Sequence, residues 1–496
     1  MTLMDRRAFI ARGIAATGGG ALSAVALERL ASRAALADKG HHGHSSYGEP
    51  QRMPDQRGIE VLALPAGFSY VTFGHIASQM SDGHQTPLAL DGMAAFPGPR
   101  GTVRLIRNHE DRNLPGAGSV PRDEDAYDPT AGGGTSTLDY DPDTRTLVRD
   151  FISLSGSHVN CAGGFGLHGK SWLTGEETVF GPEFTDVTRR YDEPHGYVFE
   201  VPLRRGPGRS DGEPLKAMGR FLHEALATDE RTGIVYQTED PGSGRGAGFY
   251  RFLPRDPQRL RKGGRLQILG IKGSPRYDAR EGQQRGRKLP VTWIDIEDVD
   301  PEYTSEDDPR GVFQQGWREG ACKFNRLEGC WADGDSIYFV STSGGDVKSG
   351  DVNSDGYREG YGQIWEYRQR SRTLVLHYES PGGEVMDSPD NLTVTPRGGL
   401  LAAEDDASSA GAANDTDPRA PGIENVNRLI GISPRGEAFT FAVNVFSGTE
   451  LAGVCFSPDG RTLFVNLYGD ATGTPEAHRD EGMTCAITGP WKRGPL

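Results

Sequence analysis

A strand–turn–strand pattern recurs six times along the 496 residues, and most copies carry acidic or amide side chains at their ends. The copies are Ala94–Asp111, Asn160–Glu177, His223–Asp240, Arg326–Asp346, Pro389–Asp405 and Leu451–Asp470. Their turns read PRG, LHGK, DERTG, ADGD, TPRGG and SPDG, which supply the Gly, Pro and Asp that tight hairpins need. A hairpin brings its two ends together. Asn160 and Cys161 thus approach Glu176 and Glu177, Glu224 approaches Glu239 and Asp240, and Asp390 and Asn391 approach Glu404 and Asp405. Repeated acidic clusters of this kind need cations to hold them together.

The copies start roughly 60–65 residues apart, apart from one longer gap that holds a charged stretch at about 273–320. Strand-like runs lie between them at His195–Leu203, Gly248–Pro254, Gly362–Gln369 and Asn427–Val443. Two further strands per copy complete a four-stranded blade. The expected fold is therefore all-β: a six-bladed β-propeller with long inter-strand loops, forming one domain over residues 38–496. A pair of β-sandwiches with coincidentally similar turns is the alternative. Helical periodicity is nearly absent after residue 40, and 69 glycines and 32 prolines suit a turn-rich chain.

Residues 1–37 read as an export signal. Arg6-Arg7 precedes an apolar run, Gly13–Leu27, and Ala35-Leu36-Ala37 is a small-x-small cleavage site. Glu28, Arg29 and Arg33 interrupt the run too early for a membrane span. The expected location is the periplasm or the medium, reached folded by the twin-arginine route. The chain has net charge −15, and its first 37 residues are +3 (five arginines against Asp5 and Glu28), which leaves −18 for the remainder. That charge argues against binding nucleic acid or an anionic membrane surface. A monomer is expected.

Five cysteines without a CxxC pair exclude a zinc ribbon. Cys322 and Cys330 are close enough in sequence for a disulfide, and Cys455 and Cys485 sit in apolar strands as core residues. Cys161 stands at a repeat start beside Asn160 and faces two glutamates. A thiolate there suits a transition metal such as iron and suits calcium poorly; core packing is the alternative. Asp351, Asn353, Asp355 and Gly356 open like a calcium loop, but Gly362 stands where the closing glutamate belongs, so a solvated turn competes. His41, His42 and His44 read as a tail.

Several longer strings, taken together and in order, resemble the PhoX-type alkaline phosphatases. They include NHE (Asn108–Glu110), NCAGG (Asn160–Gly164), LTGEE (Leu173–Glu177), HGYVFEV (His195–Val201) and Met218–Asp240. FNRLEGCW (Phe324–Trp331), Ser388–Asp405, Leu451–Gly469 and AITGPW (Ala486–Trp491) continue the series. The resemblance implies a six-bladed propeller with an iron and calcium cluster at one end of its axis, where phosphate monoesters are hydrolysed. It matches Cys161 to an iron ligand and Glu177, Glu224, Asp240, Glu328 and Glu404 or Asp405 to carboxylate ligands. Arg326 matches a phosphate-contacting arginine. Glu176, Glu239, Asp390, Asn391, Asn108 and Glu110 are further candidates, with strand-end capping as their alternative role. Against the family the chain is shorter than well-known members, so missing substrate-facing loops are expected, and the loop Gly344–Gly362 is expected to be particular to this chain or its subgroup.

These residue types fit that chemistry. A phosphate monoester is an unreactive dianion that needs positive charge on its oxygens and an activated nucleophile. Carboxylates from several blades can hold hard cations, and a guanidinium offers a forked donor to a phosphoryl group. Arg326 stands two residues before Glu328, so in extended backbone both side chains would point one way. Another metal-dependent propeller hydrolase, such as a lactonase or phosphodiesterase, and a non-catalytic calcium-stabilised binding propeller are the competing readings.

Overall fold

The computed structural model describes residues 47–496 except 114, 117, 185–190, 204–211, 309, 406–416, 424 and 470–480. The expected export signal, the histidines at 41, 42 and 44, and Asp470 lie outside the described residues. Among those described, strands dominate and Val312–Arg318 is the one α-helix. No helix among them is long and apolar enough to cross a membrane.

The expected hairpins form. Each repeat start is an inner strand: Leu90–Pro97, Asn160–Phe165, His223–Thr228, Leu327–Asp333, Pro389–Val394 and Leu451–Phe456. Each pairs antiparallel with the strand after its turn. The inner strands also pack side by side in chain order, and the sixth returns to the first, in a propeller-like ring. The sheet containing Leu451–Phe456 is completed by an N-terminal strand, Ser69–Phe73, which pairs with Met483–Thr488 and so joins the two ends of the fold.

Hydrogen bonding does not divide these strands into six separate blades. Two sheets have four strands and one has three. Another has six, because Glu60–Leu64 and Gln51–Pro54 extend it past Ala438–Asn444. The repeats starting at 223 and 326 are fused into one nine-stranded sheet. The join is Lys288–Asp295, inside the charged stretch between them. Its residues 291–295 pair with Gly264–Ile271, and Lys288–Pro290 pair with Thr373–Glu379. KLPVTWID combines β-branched and aromatic residues with alternating exposure, which suits a strand shared at two outer edges.

Apolar side chains fill the space between neighbouring sheets. Phe249 stacks on Phe339 with ring centroids 4.1 Å apart, and Phe324 meets Phe339 edge-on. All five cysteines are buried and free, so Cys322 and Cys330 form no disulfide. Cys330, Cys322, Cys455 and Cys485 lie in apolar clusters.

Candidate metal centre

Every inner strand carries a β-bulge near its start. In the first five, the second residue and its follower have no cross-strand partner. Those second residues are Asp91, Cys161, Glu224, Glu328 and Asp390. In the sixth the irregularity begins one residue later, and the corresponding residue is Ala452. A bulge re-aims a side chain that regular pairing would hold in the sheet. Two glycines allow the inner strands to converge here. A Cβ on Gly92 would lie 2.5 Å from Ala162 Cα, and one on Gly329 would lie 2.5 Å from the Asp390 carbonyl oxygen.

A second contribution comes from the residue that follows each partner strand: Glu110, Glu177, Asp240, Thr342, Asp405 and Tyr468. Their N–H groups donate to the carbonyls of Ala89, Val159, Leu222, Arg326, Ser388 and Glu450, at 2.9–3.3 Å. Those six acceptors immediately precede the inner strands. Four of them are non-glycine residues in the left-handed region: Ala89 (φ 55), Val159 (φ 50), Arg326 (φ 46) and Ser388 (φ 42). For a β-branched residue such as Val159 this is a strained backbone, held by its surroundings.

These three positions, repeated around the ring, build the centre. Asp91, Glu110 and Cys161 offer donor atoms within 4.8 Å of one another. So do Cys161, Glu177 and Glu224; Glu224, Glu328 and Asp390; and Asp390, Asp405 and Glu450. The groups share members, so a thiol and eight carboxylates form one continuous series. Burial, followed by Glu110 and Asp390, raises the Asp91 carboxyl well above its ordinary range. Burial likewise raises Glu224 and Glu328, with Asp390 and Asp240 respectively adding to it. Asp390 is pushed up to about 7 by burial and Asp405. Burial, then Asp91 and Glu224, pushes the Cys161 thiol up. Among the described residues, both oxygens of Glu224 are buried without a partner apart from the weak thiol of Cys161. Uncompensated buried carboxylates are costly, and bound cations are the ordinary remedy. The donor set therefore fits hard cations, with a single thiolate position for a softer one.

Two arginines flank the series. Arg326 Nε and Nη2 donate to Asp240, with Nη2 to Oδ2 at 2.8 Å, and Nη2 also reaches Glu328 Oε1 at 3.0 Å. Burial opposes its charge, but Asp240 and Glu328 outweigh burial and keep the guanidinium firmly protonated. Arg326 does not lie in the extended conformation expected; its left-handed φ turns the side chain over Asp240 as well as Glu328. On the other flank Arg112, half-exposed, bridges Glu110 and Glu177.

The structure brings Cys161, Glu177, Glu224, Glu328, Asp390 and Asp405 together, with Asp240 beside them under Arg326, and Glu110 joins the first group. It does not bring in Glu176, Glu239 or Glu404. Along a strand, side chains alternate, so the residue before each inward donor faces the other way. Glu176 accepts from the His158, Gly196 and Tyr197 N–H groups, and Glu404 is ion-paired with Arg428. Glu239 accepts from Tyr250 Oη at 2.6 Å. Asn391 donates to Asp390 and accepts from the Gly453 N–H, and Asn108 donates to the Cys161 and Ala162 carbonyls. Both amides hold bulges. The loop opening at Asp351 lacks a free carboxylate at its fifth position, because Asp355 is paired with Arg280 at 2.7 Å.

Asp91, Glu450 and Arg112 were not among the expected residues. The repeat register would have found the first two. Asp91 aligns with Cys161 and Glu224 as the second inner-strand residue, and Glu450 aligns with Arg326 as the residue before the strand. No repeat position signals Arg112.

A family profile described as alkaline phosphatase PhoX matches residues 46–470. No curated protein sequence matches. The fold is similar to that of Pseudomonas fluorescens PhoX in complex with vanadate, a transition state analogue, with TM-score 0.63 and 19% identity over 91% of this chain and 99% of that one. Nearly the whole of that structure has a counterpart here, so the expected loss of large loops is not seen against it. Regucalcin from Agrobacterium tumefaciens, a calcium-binding protein, is more distant, with TM-score 0.38 and 10% identity over 84% and 96% of the two chains. With its profile spanning most of the sequence on a matching fold, the chain belongs to the PhoX alkaline phosphatase family.

Proposed function

We propose that the protein is an exported phosphomonoesterase whose centre holds iron and calcium, with Cys161 as the iron-binding thiolate. The observation that carries this reading is the unbroken donor series from Asp91 to Glu450, with the two orphaned oxygens of Glu224 at its middle and Arg326 over one side. The Pseudomonas fluorescens relative is in complex with vanadate, described as a transition state analogue, which supports phosphoryl chemistry on this fold.

Asp91, Glu110, Glu177, Glu224, Glu328, Asp390, Asp405 and Glu450 would hold the calcium ions and share iron with Cys161. Bound there, the cations would supply Lewis acidity to phosphoryl oxygens and lower the pKa of water. The chain's own contribution is orientation and charge. Arg326 Nη1 makes no hydrogen bond to the described residues, so the guanidinium can keep its grip on Asp240 and Glu328 while presenting a donor outward. A guanidinium fixed in this way matches a phosphoryl oxygen without reorganising. Glu328 would both bind a cation and orient Arg326. The fixed arginine favours a phosphorylated substrate over the lactone of the competing hydrolase reading.

The test is hydrolysis of a chromogenic phosphate monoester by protein purified through its own export route and supplied with calcium, with a phosphodiester and a lactone run in parallel. The monoester is expected to be the preferred substrate. Preference for either of the others would move the reading to that class.

A further inference from the structure

The last residue of each partner strand directly precedes the position that faces the centre, and at three repeats, Glu176, Glu239 and Glu404, it was read from sequence as a possible ligand, yet none of the three joins the donor series. Those last residues are His109, Glu176, Glu239, Ser341 and Glu404, with Leu467 as the apolar sixth. The five polar ones are almost wholly buried. What they touch is also repeated.

His109 Nδ1 lies 2.9 Å from the Leu88 carbonyl. Glu176 Oε1 accepts from the His158 N–H at 2.9 Å. Ser341 Oγ donates to the Asn325 carbonyl at 2.5 Å, and Glu404 Oε1 accepts from the Asp387 N–H at 2.8 Å. Leu88, His158, Asn325 and Asp387 share one repeat position. Each immediately precedes the left-handed residue that turns the chain into its inner strand.

The same side chains reach the start of the next strand outward. Glu176 accepts from the Gly196 and Tyr197 N–H groups at 2.8 and 3.0 Å. Glu404 accepts from the Arg428 N–H at 3.0 Å and from its guanidinium. Glu239 accepts from the Gly248 N–H at 3.0 Å and Tyr250 Oη at 2.6 Å. A carboxylate has about four lone-pair sites. Glu176 and Glu404 each receive at least four hydrogen bonds, so neither has capacity left for a cation.

We infer that Glu176, Glu239 and Glu404 are positioning residues. Glu176 and Glu404 clamp the strained strand starts, and Glu239 holds the next strand outward, so that the adjacent donors Glu177, Asp240 and Asp405, and the bulge donors opposite them, converge on common cations. This rests on the reading of the site as a cation-holding centre. Groups that orient ligands typically tune metal affinity 10- to 100-fold without changing which atoms bind.

The experiment is equilibrium dialysis of the full chain against calcium, with bound ions counted by elemental analysis, for wild type, Glu176→Gln, Glu404→Gln and Glu239→Gln. Glutamine keeps the size; at Glu176 and Glu404 it turns one acceptor into a donor facing N–H groups, and at Glu239, whose two bonds both fall on Oε2, it removes the charge that the Gly248 N–H and Tyr250 hydroxyl donate to. The expected result is the wild-type number of ions at saturation, with half-saturating calcium raised about 10- to 100-fold. Glu239→Gln, which holds only the outer strand, keeps the test decisive if the other two fail to fold. Wild-type half-saturation in folded variants would overturn the inference by making these residues merely structural. Fewer ions at saturation would overturn it by making them ligands. A wild type that binds no calcium would overturn the centre itself, an outcome distinct from the other two.

Discussion

Arg326 Nη2 donates to Asp240 Oδ2 at 2.8 Å, joining a residue before one inner strand to a residue after the preceding repeat's second strand. Arg326 thus spans two repeats, and the fork of its guanidinium is what allows it to hold Asp240 and Glu328 together. Arg326→Lys keeps the charge and loses the fork. A charge-assisted contact is worth roughly 1.5–3 kcal/mol, so kcat/KM for a phosphate monoester should fall on the order of 10- to 100-fold in the fully metallated variant. An unchanged kcat/KM would remove Arg326 from substrate binding.

Cys161 supplies the lone thiol among eight carboxylates. Cys161→Ala should abolish iron retention while leaving the circular dichroism of the strands unaltered. Elemental analysis of variant and wild type decides this. Iron at the wild-type level in the variant would show that the thiol packs rather than ligates.

Asn108 uses its whole amide on the neighbouring repeat. Its Nδ2 donates to the Cys161 and Ala162 carbonyls at 3.0 and 2.9 Å, and its Oδ1 accepts from Trp172 Nε1 at 2.8 Å. Asn108→Ala strands a buried indole N–H and two carbonyls. A loss of about 2–4 kcal/mol of unfolding free energy is expected, readable in denaturant titration. A change below roughly 0.5 kcal/mol would mean that the bulge holds without it.

The competing acids at each strand end show how far the sequence could be read. Hairpin and turn were legible at every repeat and acidic ends at most of them, and so was the convergence of the ends of one hairpin. The repeat pattern alone did not show which of Glu176 or Glu177, Glu239 or Asp240, and Glu404 or Asp405 faces inward, because strand parity depends on local irregularities that leave no residue signature of their own; the resemblance named Glu177 and Asp240 and left Glu404 or Asp405 open. Asp91 was lost because the first copy was read from Ala94, inside the strand rather than at its start. The shared strand Lys288–Asp295 was hidden by the charges around it, so two repeats that looked separate turned out fused.

His195 provides a pH dependence away from the donor series. It is fully buried, with Nδ1 2.7 Å from Glu176 and Nε2 3.3 Å from Asp128. Burial alone would depress its pKa, but Glu176 and Asp128 outweigh burial and raise it from 6.5 to about 9. A group whose folded pKa is raised stabilises fully below its unfolded pKa and loses that contribution as pH rises through the folded value. The melting-temperature advantage of wild type over His195→Gln should therefore be largest near pH 6 and shrink above about pH 9. An advantage that grows with pH would show that His195 is held neutral.

The central claim is that cations held by the series from Asp91 to Glu450 make this fold a phosphomonoesterase. Its most direct measurement is monoester hydrolysis before chelation, after chelation and after return of calcium, with bound metal quantified at each stage. The account predicts that the rate falls with the metal content and recovers when calcium is restored to protein that has kept its iron. A full rate in protein shown to hold no metal would contradict it.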